Sequence, residues 1–330
     1  MSENPSPPDG VSYLRVMFWS VVYASMQVPL LLFVVSLLGR HFYLCELVGN
    51  FRAYILAMLI PCGLILWCTG KRKRAFLFGA GALWSCIGVI TPWFPHAQAP
   101  AGIEVVKIMS FNLLGNNREI QAVLARIAEH DPEVVTCLEY TDQWPVALKS
   151  LNATYPYRLE QPRWHGFGIA IFSKRPFTNA SSTQITEGLT DNPFLTVDIE
   201  IDGSPVRLAG LHLLSPMNRK RLKIRNQQLT EIADLLVERD VPTIVMGDFN
   251  CTPWSPFLSD FLKRANLRDS RNGFGYQASW NALRPLLLIP IDHALVSPQI
   301  HVHSRTLGDF AGSDHYPLVF EVSLNARSPQ

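Results

Sequence analysis

Residues 243–250 read Thr243-Ile244-Val245-Met246-Gly247-Asp248-Phe249-Asn250. The β-branched and apolar start predicts a strand over 243–246, yet the run closes on a carboxylate and an amide. Taken alone, an Asp or Asn beyond a strand is a turn residue. Working outward, however, the same arrangement recurs. A strand predicted over 105–111 runs into Asn112, one over 134–138 into Glu139, and one over 206–211 into His212. Asp292 precedes a strand over 293–296, and Gly312-Ser313-Asp314-His315-Tyr316-Pro317 precedes one over 318–322. Strand ends are where a sheet can aim several side chains into one crevice. Further strands at 168–172 and 195–201 and helices at 120–129, 220–239 and 256–265 complete the pattern. Strands outnumber helices and often follow one another directly, so a mixed α+β sandwich is expected rather than a doubly wound parallel sheet.

The 330 residues are 48% apolar and 17% charged, which excludes a disordered chain. The mean hydropathy of +0.12 is unevenly spread. Residues 1–100 hold 7 Lys+Arg against 3 Asp+Glu, and the rest hold 22 against 24. A net −2 on the second part gives no support for avid binding to long nucleic acid, which favours a basic face. The six cysteines show no metal-type spacing, so cysteine is not the chemistry.

The first hundred residues read as a membrane anchor. Segments 16–38, 53–69 and 75–91 are apolar and uncharged, and about 20 residues of helix cross a hydrocarbon core of roughly 30 Å. A buried soluble hairpin would need a polar face, and the last two segments have none. Lys71-Arg72-Lys73-Arg74 lies in a short loop, so the positive-inside bias puts that loop in the cytoplasm. Counting onward, the domain at 101–330 falls on the non-cytoplasmic side of the cell (inner) membrane. Residues 91–101, with Pro92, Pro95 and Pro100, read as a stiff linker.

One Glu, three Asp, two Asn and two His at strand ends suit phosphoryl chemistry on a hard cation. Carboxylate and amide oxygens favour Mg²⁺ or Mn²⁺, ions that bridge to substrate phosphate. An Asp-His pair supplies an acid or base, and a second His can face the leaving group. The ordered motifs Ser-Phe-Asn, Leu-Glu, Leu-His-Leu, Gly-Asp-Phe-Asn, Ile-Asp-His and Ser-Asp-His resemble the endonuclease/exonuclease/phosphatase superfamily over about 103–323. That superfamily includes deoxyribonuclease I, abasic-site endonucleases, neutral sphingomyelinases and inositol polyphosphate 5-phosphatases.

The resemblance implies a four-layer sandwich of two packed sheets with helices outside. It implies Glu139 as main metal ligand, with Asn112 at the metal and phosphate end and Asp314 adjacent to the metal. Asp248 would orient or deprotonate the attacking water, and Asn250 would hold phosphate oxygens. His315, oriented by Asp292, would contact the phosphate, and His212 would serve the leaving oxygen. Outside these motifs, the basic run 219–225, with Arg219 and Arg221 foremost, is a candidate landing for an anionic substrate, although such runs are commonly solvated helix faces. Trp164, His165 and Trp254 could stack on bases or pack a lipid, or sit in the core.

These expectations converge on a membrane-anchored, metal-dependent phosphodiesterase. Nucleic acid is the default substrate because it is commonest in the superfamily; a lipid headgroup or inositol phosphate is the alternative. An inactive scaffold module is the third reading, against which stand the six intact motifs. The lipid bilayer is an expected partner, and nothing implies a protein partner.

Overall fold

The computed structural model describes residues 10–95, 98, 100–237 and 241–326. The chain divides into two compact units, 1–89 and 90–330, so the boundary falls earlier than the expected 100/101. Residues 91–95 are no free linker: the backbone N–H groups of Gly273 and Gly275 donate to the Pro92 carbonyl at 2.8 and 2.9 Å.

The first unit is helical: α1 Gly10–Ser25, α2 Val28–Ser36, α3 Tyr43–Gly49, α4 Arg52–Cys68 and α5 Arg72–Ile90. Met26, Ile55, Leu59, Leu66, Ala75 and Phe78 form its buried cluster. Many other large apolar side chains face outward, among them Leu64, Trp67, Phe76 and Leu83. A sequence apolar all round a helix does this where the surroundings are themselves apolar. Two stretches, Tyr13–Ser36 and Arg72–Trp93, are long and apolar enough to cross a membrane. The middle expected span differs: α4 has 17 residues and qualifies only together with α3, from which it is bent by 71°.

Among the described residues the second unit contains two six-stranded sheets. Its strands are β1 Val106–Asn112, β2 Val134–Leu138, β3 Tyr157–Gln161, β4 Ile169–Ser173, β5 Asn179–Ile185, β6 Asn192–Ile201, β7 Ser204–His212, β8 Thr243–Asp248, β9 Arg268–Asp269, β10 Asp292–Val296, β11 Ile300–Leu307 and β12 Leu318–Leu324. Its helices are α6 Ile120–His130, α7 Trp144–Ala147, α8 Arg219–Val237 and α9 Pro256–Arg264. The strand orders are β11-β12-β1-β2-β4-β3 and β5-β6-β7-β8-β10-β9, with β1/β2 and β7/β8 parallel and the other pairs antiparallel.

Alternation of side chains along each strand builds the layers. Ile108, Val134, Leu195, Leu208, Met246 and Phe320 face inward and fill the space between the sheets. Their neighbours Met109, Phe111 and Val135 face outward beneath Val123 and Ile127 of α6 and Trp144 of α7. On the other side, Ala209, Leu211 and Val245 lie beneath Leu229 and Ile232 of α8 and Phe261 of α9. Two mixed sheets packed together and flanked by helices are the expected four-layer sandwich.

The expected strands and helices form, with ends shifted by a few residues; positions 238–239 of the expected helix lie outside the described residues. Strands β3, β5, β9 and β11 were not expected. They occupy sheet edges, and β5, Asn-Ala-Ser-Ser-Thr-Gln-Ile, is almost wholly exposed. An edge strand with a solvated face lacks the apolar run that marks a central one.

Candidate active site

Register collects the polar residues at one edge. His212 on β7 pairs with Asp248 on β8, which pairs with Asp292 at the start of β10. In the other sheet Asn112 pairs with Leu138, so Glu139 emerges beside it. Because β12 runs antiparallel to β1 with Leu318 opposite Ser110, the preceding Asp314-His315 turn reaches the same end. Gly247 makes β8 fit: its φ is +145°, and a Cβ there would lie 1.9 Å from the Leu211 carbonyl oxygen. Glu139 and Asn250 leave their strands in left-handed conformations, φ 53° and 49°, a local strain that turns each side chain off the strand path.

The core of the site is a buried relay. His315 Nδ1 lies 2.8 Å from Asp292 Oδ2, which also accepts the Ser279 hydroxyl at 2.5 Å. The other ring nitrogen of His315 faces Asp248 Oδ2 at 3.7 Å and Asp314 Oδ1 at 4.0 Å. Nδ2 of Asn112 sits among Glu139 Oε1 (3.2 Å), Asp248 Oδ2 (3.4 Å) and His315 Nε2 (3.4 Å). Asp248 Oδ1 accepts the Asn250 backbone N–H at 2.8 Å, and Asn250 Nδ2 donates to the Leu213 carbonyl at 2.9 Å. His212 Nε2 lies 3.5 Å from Asp248 Oδ2, with Phe167 against its ring. Glu139 Oε2 accepts the Gly115 N–H at 2.8 Å, and Trp280 Nε1 donates to Asp314 Oδ2 at 2.9 Å.

Burial and close charges set the protonation states. Burial alone would depress His315, but Asp292, Asp248 and Asp314 raise it to about 10. Burial pushes the Asp248 carboxyl up to about 8 against the pull of His315. Burial likewise opposes ionisation of Asp292, yet the His315 charge and hydrogen bonds from His315 and Ser279 hold it below the usual range. Burial lowers His212, keeping it neutral near pH 7.

The donor set fits a hard cation. Asp314 Oδ1 is buried with no hydrogen-bond partner among the described residues, and it shares the crevice with the Glu139 carboxylate. Asp248, Asp292 and His315 also offer atoms within 4.8 Å of one another. Since Asp292 Oδ2 already takes two hydrogen bonds, that trio works as a relay more readily than as an ion cage.

Eight of the expected residues thus meet at one edge: Asn112, Glu139, His212, Asp248, Asn250, Asp292, Asp314 and His315. The two arginines do not join them. Arg219 is exposed at the start of α8, and Arg221 donates through Nε to the Ser215 carbonyl at 2.9 Å. Arg221 does line a pocket of about 330 Å³ with Asn218, Lys220 and Phe167, the residue that packs on His212. Trp164 is 80% exposed, and Trp254 stacks on Tyr276. Sequence reasoning missed Ser279 and Trp280, which come from an irregular loop without periodic signal. Arg225, the last residue of the basic run expected to meet an anionic substrate, is instead fully buried in α8, where its Nη1 donates to the Asn250 carbonyl at 3.0 Å. Ser313 lay within a quoted motif without a role; its hydroxyl donates to the Asn112 carbonyl at 2.7 Å and accepts the His315 N–H at 3.0 Å.

Comparison with known proteins agrees with this geometry. The model of the Endonuclease/Exonuclease/phosphatase family matches residues 109–315. No curated protein sequence matches the chain. Among solved structures, D. rerio TDP2 complexed with single strand DNA product is similar at TM-score 0.57 and 17% identity, over 66% of this chain and 99% of that one. An endonuclease/exonuclease/phosphatase from Beutenbergia cavernae gives 0.55 and 19% over 68% and 72%. Sphingomyelinase C from Streptomyces griseocarneus gives 0.52 and 15% over 67% and 100%. At these identities the likeness is one of fold; the family match spans most of the chain and every motif residue of the crevice. The chain belongs to the endonuclease/exonuclease/phosphatase family, whose members hydrolyse phosphoric esters.

Proposed function

We propose that the chain is a membrane-anchored, divalent-metal-dependent phosphodiesterase acting on nucleic acid. The observation that carries the catalytic reading is the Asp292–His315–Asp248 relay closed by Asn112 beside Glu139. Glu139, Asn112 and Asp314 would hold Mg²⁺ or Mn²⁺, which supplies Lewis-acid neutralisation of phosphate charge.

The chain's own groups do the rest. Asp248 accepts the proton of the attacking water, and the backbone N–H and side-chain amide of Asn250 fix the Asp248 carboxylate. Asp292 and Ser279 hold the His315 ring, whose raised pKa makes it the group with a proton and a positive charge to present to the phosphate. His212, neutral by burial, donates a hydrogen bond at the leaving-group side rather than a full proton. The basic start of α8 and the exposed Trp164 ring supply, respectively, a phosphate landing and a base-stacking platform outside the crevice. The similar fold of a TDP2 bound to single strand DNA product supports nucleic acid as substrate.

A lipid-headgroup substrate is the second reading, favoured by a specific observation. Leu283, Leu286 and Leu287 are exposed on the loop that follows Trp280, and Leu286 is 87% exposed. A solvated cluster of leucines beside the crevice suits a bilayer surface. The similarity to a sphingomyelinase C fold accords with it. We further place the second unit on the non-cytoplasmic side, from the basic residues 71–74, of which Arg72, Lys73 and Arg74 form the first turn of α5 rather than the expected loop.

The deciding experiment is a substrate panel on the full-length protein in detergent, with Mg²⁺ or chelator: plasmid DNA, single-stranded oligonucleotide, RNA, sphingomyelin and inositol phosphates, with His315→Ala as control. Metal-dependent cleavage of nucleic acid, lost in the variant, is the expected result. Turnover of sphingomyelin alone transfers the assignment to the lipid reading, and silence on every ester overturns both.

A further inference from the structure

The segment after α5 makes contacts that neither the family match nor the reaction chemistry explains. Pro92 is buried, and its carbonyl accepts the N–H groups of Gly273 and Gly275 at 2.8 and 2.9 Å. The Trp93 ring lies parallel to Tyr276, 8° between planes and 6.5 Å between centroids, and Tyr276 stacks in turn on Trp254 at 6.0 Å. Gly275 is required here: its φ is +91°, and a Cβ would stand 3.3 Å from the Trp93 indole.

The loop held in this way leads directly into the crevice. Gln277 bridges to Arg305, a fully buried side chain that also reaches the Asp292 carbonyl at 3.5 Å. Ser279 donates to Asp292 Oδ2 at 2.5 Å, and its carbonyl accepts the Tyr316 N–H at 2.9 Å. Trp280 pairs through its backbone with Ile289 and His315, while its indole N–H holds Asp314. Residues 273–280 contain no regular secondary structure apart from the isolated bridge at Trp280, so these outside contacts decide where Ser279 and Trp280 sit.

We infer that Pro92 and Trp93 form a strap that positions the 273–280 loop, and through Ser279 and Trp280 the Asp292, Asp314 and His315 side chains. Trp93 is a positioning residue, remote from the reacting atoms. The segment at Pro92 and Trp93, at the start of the second unit, is therefore part of the catalytic apparatus, and displacing it slackens the site. The inference rests on the phosphodiesterase reading for its activity readout alone.

The test uses the full-length protein with three substitutions. Trp93→Ala removes the stack, Trp93→Leu keeps apolar bulk without an aromatic face, and Trp93→Phe keeps the face. Both Ala and Leu variants should lose about ten- to a hundredfold in kcat with KM within about twofold, the pattern of a misplaced catalytic group. Phe should restore most of it. Hydrogen–deuterium exchange of peptides covering 273–280 should speed up in the Ala and Leu variants and return toward wild type with Phe. The strap is overturned by wild-type kcat in Trp93→Leu, or by unchanged exchange over 273–280. If the wild-type chain cleaves no phosphoric ester, the proposed function fails while the exchange arm still decides the strap.

Discussion

His315 and Asp292 stand 23 residues apart in sequence and 2.8 Å apart in space, Nδ1 to Oδ2, with both side chains almost wholly buried. The pairing fixes which imidazole nitrogen faces the crevice and keeps the ring cationic. Asp292→Asn should leave the fold intact but turn the ring and remove its charge partner. We expect kcat to fall by about 10²–10⁴-fold, the range of a lost acid–base group, with KM little changed. Steady-state kinetics on whichever ester the panel identifies would check this; retention of more than a tenth of wild-type kcat would exclude the relay.

The two shifted groups set the pH profile. Asp248 titrates at about 8 and must be deprotonated to accept a proton, so activity rises as pH increases through 8. His315 titrates at about 10 and must stay protonated, so activity falls above it. In kcat/KM against pH, a bell with its top between these values is expected. Asp248→Asn should abolish the activity that defines the acid limb.

Metal removal is the third test. A chelator should silence the protein, and Mg²⁺ or Mn²⁺ should restore it. Glu139→Gln keeps the shape and removes one charge, so its half-saturating Mg²⁺ should rise about 10- to 100-fold. An unchanged metal requirement in Glu139→Gln would move the ion to other ligands.

A structural prediction concerns the network behind the site. Asp269 accepts from Arg271 at 2.9 Å within a buried group that includes Arg305 and His293. Although burial opposes ionisation, the Arg271 guanidinium beside it and the Arg305 charge hold the Asp269 carboxyl below its usual range. A depressed folded-state pKa stabilises above the ordinary carboxylate value, and that contribution is lost as pH falls through the lowered one. Asp269→Asn leaves the buried Arg271 guanidinium without its carboxylate partner and should cost about 3–5 kcal/mol, read from urea unfolding at neutral pH. A cost below about 1 kcal/mol would show that Arg271 finds another partner.

Orientation is checked independently of chemistry. A reporter fused after Gln330 should be active on the non-cytoplasmic side, following the four basic residues at 71–74. Activity in the cytoplasm would reverse the proposed topology.

Much of the site was legible in the sequence because each residue interrupts an apolar run at a strand end. Asn112, Glu139, His212 and Asp248 end runs that predict strands, and Asp292 and His315 precede them. Periodicity reports burial on two faces, so the central strands β1, β2, β7, β8 and β10 were readable and the edge strands β3, β5, β9 and β11 were not. The apolar helices at the start of the chain were legible for the same reason, from hydropathy alone.

Tertiary structure decided what no local pattern encodes. Ser279 and Trp280 lie in a loop whose place is set by Pro92, Trp93 and Arg305, residues distant in sequence. The basic run at the start of α8 divided: Arg219 faces solvent, while Arg225 is buried beneath Asn250. The protonation states of Asp248 and His315 follow from burial beside one another's charge. Residue types and their order along the chain are local information and specify the family and its chemistry. Which loop supports which side chain depends on long-range packing, and only the folded sandwich supplies it.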